Sequence, residues 1–212
     1  HAAAPDGGPV ISLSGPTHAE EVGNDLPSTI VAAGADEAAR ELVQEAFFSE
    51  TFRVYTSPDI VGVEIGGSLK NVIAIAAGVC DGLELGDNAK AALITRGLAE
   101  IARLGEACGA EPRTFAGLSG MGDLIVTCAS RHSRNRRLGE SLARGKTLEE
   151  LQGASPRVIE GVRTTRSACA LAAREDIEMP IAEAVHRVLF EDMEPRMAIS
   201  DLMSRDPKSE HS

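Results

Sequence analysis

Tryptophan is missing from these 212 residues, and with one tyrosine and five phenylalanines the aromatic share is 3%. Platforms for stacking unpaired bases are therefore scarce. Positive charge is short as well: 21 lysines and arginines stand against 32 acidic residues, giving a net charge of -11. Binding a phosphate backbone needs a basic surface, so nucleic acid is excluded as the main partner. Cys80, Cys108, Cys128 and Cys169 lie tens of residues apart. That spacing fits neither a zinc site nor a dense disulfide framework, so no metal is expected and the cysteines read as reduced core residues. Lys70 and Asn71 break the longest apolar run before it reaches bilayer length. The opening residues lack a basic-then-apolar signal. No membrane span is expected, and the setting reads as cytoplasmic.

What is present suits a sizeable core, with 43% hydrophobic and 25% charged residues, as in a soluble globular chain. The opening HAAAPDGGPV reads as a linker rather than a natural start, with no initiating methionine. A short β-type run follows at Val10–Leu13, then a Gly15-Pro16 turn and Thr17 as a helix cap before His18–Glu21. Thr29–Ala33 reads as a second strand, Asp36–Phe48 as a helix with Ala39, Leu42, Val43 and Phe47 on one face, and Phe52–Tyr55 as a third strand. This alternation suggests α/β architecture.

After Ser57 the regular elements become helical. Helices are expected over Asn88–Cys108, Ser133–Arg144, Gly161–Glu175 and Pro180–Phe190, with a capping box at Thr147-Leu148-Glu149-Glu150. Three strands are too few for a complete doubly wound sheet. The expected fold is therefore mainly α. Residues 58–212 form an all-helical domain, and residues 1–57 form a short α/β remnant of a Rossmann-type sheet.

The stretch Asp59–Gly82, DIVGVEIGGSLKNVIAIAAGVCDG, organises the rest. Ser57-Pro58-Asp59 supplies a capping hydroxyl, a proline suited to a first turn and a carboxylate facing the positive helix end. Gly62, Gly66, Lys70, Ala74 and Gly78 fall on one helical stripe, with Gly67 and Asn71 beside it. Each interior glycine costs roughly 1 kcal/mol relative to alanine, so something must come close to the backbone there. Val61, Ile65, Leu69, Val72, Ile73 and Ile75 surround most of the helix with apolar side chains, which makes Lys70 a buried lysine. Burial disfavours the charged form of an amine and so suits it to proton transfer near neutral pH. The same lysine could instead carry its head to water along its own stem.

Two other stretches carry chemistry. Gly117–Asp123, GLSGMGD, is a glycine-rich turn ending in a carboxylate that enters an apolar run. A buried aspartate needs a partner, and a lysine is the natural one; a helix-capping role stays open. Ser130–Arg137, SRHSRNRR, places four arginines within seven positions of an acidic chain. At a helix start they oppose the dipole. Ser133, Asn135, the free helix N–H groups and an arginine fork would make a phosphate site, with a solvated basic face as the plainer reading.

The motifs SGPTHAEEV, VGVEIGGSLKNVIAIAAGVCDGL, GDNAKAALITRGLAEI, GLSGMGDLIVTC, SRNRRLGESLARGK and VIEGVRT, in this order, resemble bacterial NAD(P)-dependent glycerol-3-phosphate dehydrogenase from about Ile11 to about Met203. The resemblance implies interconversion of dihydroxyacetone phosphate and sn-glycerol 3-phosphate for phospholipid synthesis, with NAD or NADP as cofactor. It implies Lys70 as general acid/base and Asp123 as the residue that holds it and contacts substrate. It puts Ser133, Arg134 and Asn135 at the substrate, together with Gly15 and Thr17. Arg134 also reaches the cofactor, which Ala19, Val158 and Glu160 contact. Asn71 and Thr127 are expected helpers, and a homodimer is expected. His18 stands where relatives often carry an aromatic residue.

No G-x-G-x-x-G follows any strand in these residues. The lysine that the family's nucleotide domain adds to the substrate site is missing too. The expectation is a piece of a longer chain, inactive alone, with the choice between NADH and NADPH made elsewhere. Two further readings stand beside this one: a related dehydrogenase acting on another phosphorylated hydroxy compound, and a non-enzymatic helical module for substrate binding or dimerisation.

Overall fold

A computed structural model describes residues 7–153, 158–207 and 209–210. The first six residues of the opening linker-like stretch lie outside them. The fold is mainly helical, with one three-stranded sheet. The strands β1 (Ser12–Ser14), β2 (Ser28–Ala33) and β3 (Phe52–Ser57) lie in that order. β1 runs antiparallel to β2, with Ser14 opposite Val31, and β2 runs parallel to β3, with Ile30 opposite Val54. The first strand sits later than the Val10–Leu13 run suggests, which brings Ser14 to the sheet's end.

His18 and not Thr17 stands at the cap position of helix α1 (Ala19–Val22), without a side-chain capping bond, and the Thr17 hydroxyl donates to the Gly15 carbonyl at 3.2 Å within the turn. Helix α2 (Glu37–Phe47) crosses from β2 to β3, with Asp36 accepting the Ala39 N–H at 2.7 Å. Its inward face differs from the sequence reading. Val43 packs on Ile30 and Val54, and Gln44 donates to the Val54 carbonyl at 2.7 Å, while Leu42 and Phe47 point to solvent. A helix this rich in scattered apolar residues offers more than one possible face; contact with the sheet selects among them.

The core of the helical part is α3 (Ile60–Gly82). Asp59 is its cap, accepting the Gly62 N–H at 2.9 Å, whereas the Ser57 hydroxyl accepts the Asp59 N–H at 3.2 Å. The other oxygen of Asp59 takes the Glu111 N–H at 2.9 Å and the Thr114 hydroxyl at 2.6 Å, which ties down the short α5 (Pro112–Phe115), an element the sequence reading omits. At 23 residues and mean hydropathy 1.5, α3 is long and apolar enough to cross a bilayer, contrary to the reading that Lys70 and Asn71 interrupt it. Half of that window is buried inside the fold, as in the core helix of a globular protein. Leu69, Val72, Ile73 and Ile75 are buried, while Val61 at the helix start is exposed.

Around α3 lie α4 (Gly86–Ala107), α6 (Asp123–Ala129), α7 (Arg134–Ala143), α9 (Glu160–Arg174) and α10 (Pro180–Phe190), with α8 (Leu148–Gly153) and α11 (Pro195–Met203) farther out. The Thr147–Glu150 box forms reciprocally: the Thr147 N–H donates to the Glu150 carboxylate at 2.9 Å and the Glu150 N–H to the Thr147 hydroxyl at 3.2 Å. Two glycines of the stripe, Gly66 and Gly78, are explained by close backbone approach, and Gly62 by the Asp59 carboxylate, 2.2 Å from where its Cβ would lie. A Cβ on Gly78 would lie 1.8 Å from the Arg136 carbonyl oxygen, and one on Gly139 would lie 1.9 Å from the Ile75 carbonyl oxygen, so α3 and α7 cross in direct backbone contact. Near the other end, a Cβ on Gly66 would lie 2.7 Å from the Ser119 carbonyl oxygen. The π-helical turn Leu118–Gly122 can therefore lie flat on α3.

The cysteines are all free: Cys80 and Cys128 are buried, and Cys108 and Cys169 are partly buried against the same core. Burial pushes the Cys128 thiol up to about 12. A second charged cluster sits inside the bundle, where Asp81 accepts from Lys90 at 2.9 Å and from Arg136 at 2.6 Å.

Candidate functional site

The π-helical turn delivers Asp123 as the first residue of α6, directly opposite the middle of α3, where Lys70 lies. The Lys70 ammonium donates to Asp123 Oδ2 across 53 residues of sequence. The Asp123 side chain is only 4% exposed, whereas that of Lys70 keeps 21% of its surface open, so the amine is the more accessible of the two. Asp123 is held from two further sides. Ser14 at the end of β1 donates to Oδ2 at 3.4 Å, and Thr127 one turn along α6 donates to Oδ1 at 3.3 Å and to the Asp123 carbonyl at 2.6 Å. Burial pushes the Asp123 carboxyl up from its ordinary range, and the Lys70 charge and these hydroxyls pull it back down in part.

The SGPT turn after β1 closes one side. Gly15 is buried, and a Cβ there would meet the Thr29 carbonyl oxygen at 2.9 Å; Ser119 donates to the Ser14 carbonyl at 3.4 Å and seats the turn on the π-helical segment. Thr17 is half-buried and Ala19 exposed beyond it. Ser14, which the sequence reading left out of its site residues, is thus a direct partner of Asp123. Its signal was available as the first letter of the SGP motif.

The start of α7 closes the opposite side. Ser133 caps the helix, accepting the Arg136 N–H at 3.2 Å. Asn135 is buried and its amide is committed to structure: Nδ2 donates to Asn71 Oδ1 at 2.8 Å, and Oδ1 accepts the Gly161 N–H at 2.9 Å. Because Asn71 follows Lys70 and Arg134 precedes Asn135, this bond brings the lysine and arginine segments together. Arg134 donates to the Val158 carbonyl at 2.9 Å and to the Glu160 carboxylate at 2.7 Å. The four arginines of this stretch go separate ways. Arg136 turns inward to Asp81, Arg131 and Arg137 are exposed, and Arg134 is the member beside Val158 and Glu160. The Arg136 pairing is possible because Asp81, one turn past Gly78 on α3, supplies a carboxylate at the crossing.

Two histidines join the sides. The His18 ring lies tilted against the His132 ring, with centroids 6.3 Å apart. Among the described residues, no group of three or more His, Cys, Asp or Glu side chains could hold a metal ion. The arrangement presents an ammonium buttressed by a buried carboxylate, with hydroxyls, a buried amide and a guanidinium around it. Such a set can exchange a proton with a ligand oxygen and hold an anionic group nearby.

Residues 59–200 match the family model for the C-terminus of NAD-dependent glycerol-3-phosphate dehydrogenase. The chain is 61% identical over 199 residues to glycerol-3-phosphate dehydrogenase [NAD(P)+] 2 of Salinibacter ruber, covering 94% of this chain and 58% of that protein. It is 57% identical over 196 residues to the glycerol-3-phosphate dehydrogenase [NAD(P)+] of Bacillus subtilis, covering 92% of this chain and 57% of the relative. The crystal structure of glycerol-3-phosphate dehydrogenase from Coxiella burnetii superposes with a TM-score of 0.90 at 44% identity, covering 93% of this chain and 61% of that one. The chain therefore spans a little under three fifths of the length of these curated relatives.

Proposed function

Since this chain belongs to the NAD-dependent glycerol-3-phosphate dehydrogenase family, we propose that it is the substrate-holding part of an enzyme that interconverts dihydroxyacetone phosphate and sn-glycerol 3-phosphate for phospholipid synthesis. Residues 58–212 serve as the substrate domain and residues 1–57 as the tail of a nucleotide-binding unit. A cytoplasmic setting and a homodimer belong to the same proposal and rest on the resemblance. The observation that carries the reading is the Lys70–Asp123 pair, with the carboxylate buried and the amine open.

Reduction of a ketone builds negative charge on the carbonyl oxygen. In this reading the Lys70 ammonium offsets that charge and delivers its proton to the same oxygen; in the reverse direction the neutral amine takes the hydroxyl proton. Asp123, held by Ser14 and Thr127, fixes the amine in place. Gly15, Thr17, Ser133, Arg134 and Asn135 surround the substrate, and the Arg134 guanidinium grips the phosphate so that binding energy orients the carbonyl. Beside Val158, Arg134 and Glu160 are bonded to each other; a dinucleotide that parts them would find a guanidinium for phosphate oxygens and a carboxylate for ribose hydroxyls. Arg134, Val158, Glu160 and Ala19 would hold NAD or NADP, which supplies or accepts hydride when bound.

The test is dihydroxyacetone-phosphate-dependent oxidation of NADH and NADPH by this chain together with any coding sequence preceding residue 1, beside its Lys70→Met variant. The proposal expects turnover in the parent and a fall in kcat of at least about 10²-fold in the variant. Absence of turnover in the parent, or a variant as active as the parent, refutes it.

A further inference from the structure

Among the described residues, His18 Nε2 is the one buried side-chain nitrogen or oxygen without a hydrogen-bond partner. Buried polar atoms are paired in folded proteins, so an unpaired one needs a reason. Secondary structure gives none, because His18 precedes α1 in extended conformation and its side chain makes no capping bond. The ring's aromatic neighbour is His132, tilted by 56° with centroids 6.3 Å apart, in the turn before α7, where the His132 backbone N–H donates to the Ser130 hydroxyl at 3.1 Å.

The pair thus joins the two loops between which the proposed ligand lies: Gly15, Thr17 and Ala19 on one, Ser133, Arg134 and Asn135 on the other. The Glu20 carboxylate interacts electrostatically with both imidazoles and with Arg137, and Arg131 is next to His132 in sequence. A buried ring nitrogen without a partner can, in the tautomer that protonates it, donate to an anionic oxygen.

We propose that His18 Nε2 is a further binding contact of this site, donating a hydrogen bond to a phosphate oxygen of the bound ligand, with His132 holding the ring in position. This rests on the function proposed above. The phosphate is either the ester of the substrate or the diphosphate of the cofactor, and the experiment separates the two.

Three variants of this chain, together with any coding sequence preceding residue 1, test it. His18→Phe keeps a ring against His132 and removes both nitrogens, His18→Asn offers an amide nearer the Nδ1 position, and His18→Gln carries an amide nitrogen close to where Nε2 lies. Phe and Asn should raise one KM about tenfold while kcat stays within about twofold, and Gln should stay within about threefold of the parent, since one charge-assisted hydrogen bond is at stake. A raised KM for dihydroxyacetone phosphate assigns the contact to the substrate; a raised KM for NADH assigns it to the cofactor. Equilibrium titrations with inorganic phosphate and with NAD read the same affinities without turnover. An enzyme that fails to turn over yet loses phosphate or NAD affinity in the Phe variant would refute the proposed function and leave this contact standing. Parental KM values and affinities in His18→Phe, or a Gln variant as impaired as Phe, overturn the contact.

Discussion

Replacing Gly78 by alanine should drive α3 and α7 apart. The new methyl would sit 1.8 Å from the Arg136 carbonyl oxygen and 2.9 Å from the Glu140 nitrogen, where ordinary contact begins at 3.4 Å. Both obstacles are backbone, so no side chain can swing away, and the helices must separate by about 1.6 Å at the crossing. Overpacking of this kind costs about 1–3 kcal/mol, and a rigid obstacle argues for the upper end or beyond. The gain of about 1 kcal/mol in helix propensity on replacing glycine offsets part of it. A net loss of about 2 kcal/mol follows, which at an m-value of about 2 kcal/mol per molar lowers the urea midpoint by about 1 M. Gly139→Ala meets the same crossing from the other helix, 1.9 Å from the Ile75 oxygen, and should cost about as much. Because one separation accommodates both methyls, the double variant should fall short of the sum by about 1 kcal/mol. Gly153→Ala, with nothing within 4 Å of the added carbon, serves as the unstrained control. A Gly78→Ala midpoint equal to the parent's, or a fully additive double variant, would refute the close-crossing argument.

Glu100 carries a pH prediction. It is buried and accepts the Ile181 and Ala182 N–H groups at the start of α10 at 2.9 and 3.3 Å, and burial, only partly opposed by those bonds, raises its carboxyl from 4.5 to about 7. The folded state therefore holds this proton more tightly than the unfolded state. Its stabilising contribution is complete below about pH 4.5 and is lost as pH rises to about 7, a span of about 3 kcal/mol. Urea midpoints measured between pH 5 and 8 should fall more steeply for the parent than for Glu100→Gln; parallel slopes would contradict the assignment. Asn135→Ala should cost about 1–3 kcal/mol in thermal or urea unfolding, because the buried Gly161 N–H loses its acceptor, and it should also raise KM for the phosphorylated substrate. Asn71→Ala leaves that N–H paired and should cost less stability.

Much of the local structure was legible because its causes are local. Pro180 starts α10 where the sequence puts it, the Thr147–Glu150 box closes on itself, and the glycine stripe of α3 announces a backbone crossing before its partner is known. Other features had weaker signals. The four-residue α5 is held by a carboxylate 52 residues away, and α11 follows a left-handed turn at Asp192 whose residue is not glycine. Each does open on a proline, Pro112 and Pro195, the same start signal as Pro180, but the α5 helix so opened is only four residues long.

By itself the sequence determined that a long glycine-striped helix carries a lysine, that a glycine-rich turn ends in an aspartate, and that arginines crowd a helix start. Motif spacing tied these to one family. The tertiary structure alone decided that Asp123 faces Lys70 instead of capping a helix, that Arg136 leaves the cluster for Asp81, that Ser14 joins the site, and that His18 rests on His132. Caps, breakers and periodicity act within a turn or two of chain, where residue order sets geometry directly. The Lys70–Asp123 pair spans 53 residues and the Ser14–Asp123 bond 109, and such contacts depend on Gly66 and Gly67, where a Cβ would meet the Ser119 carbonyl oxygen and the Ser14 hydroxyl at 2.7 Å each.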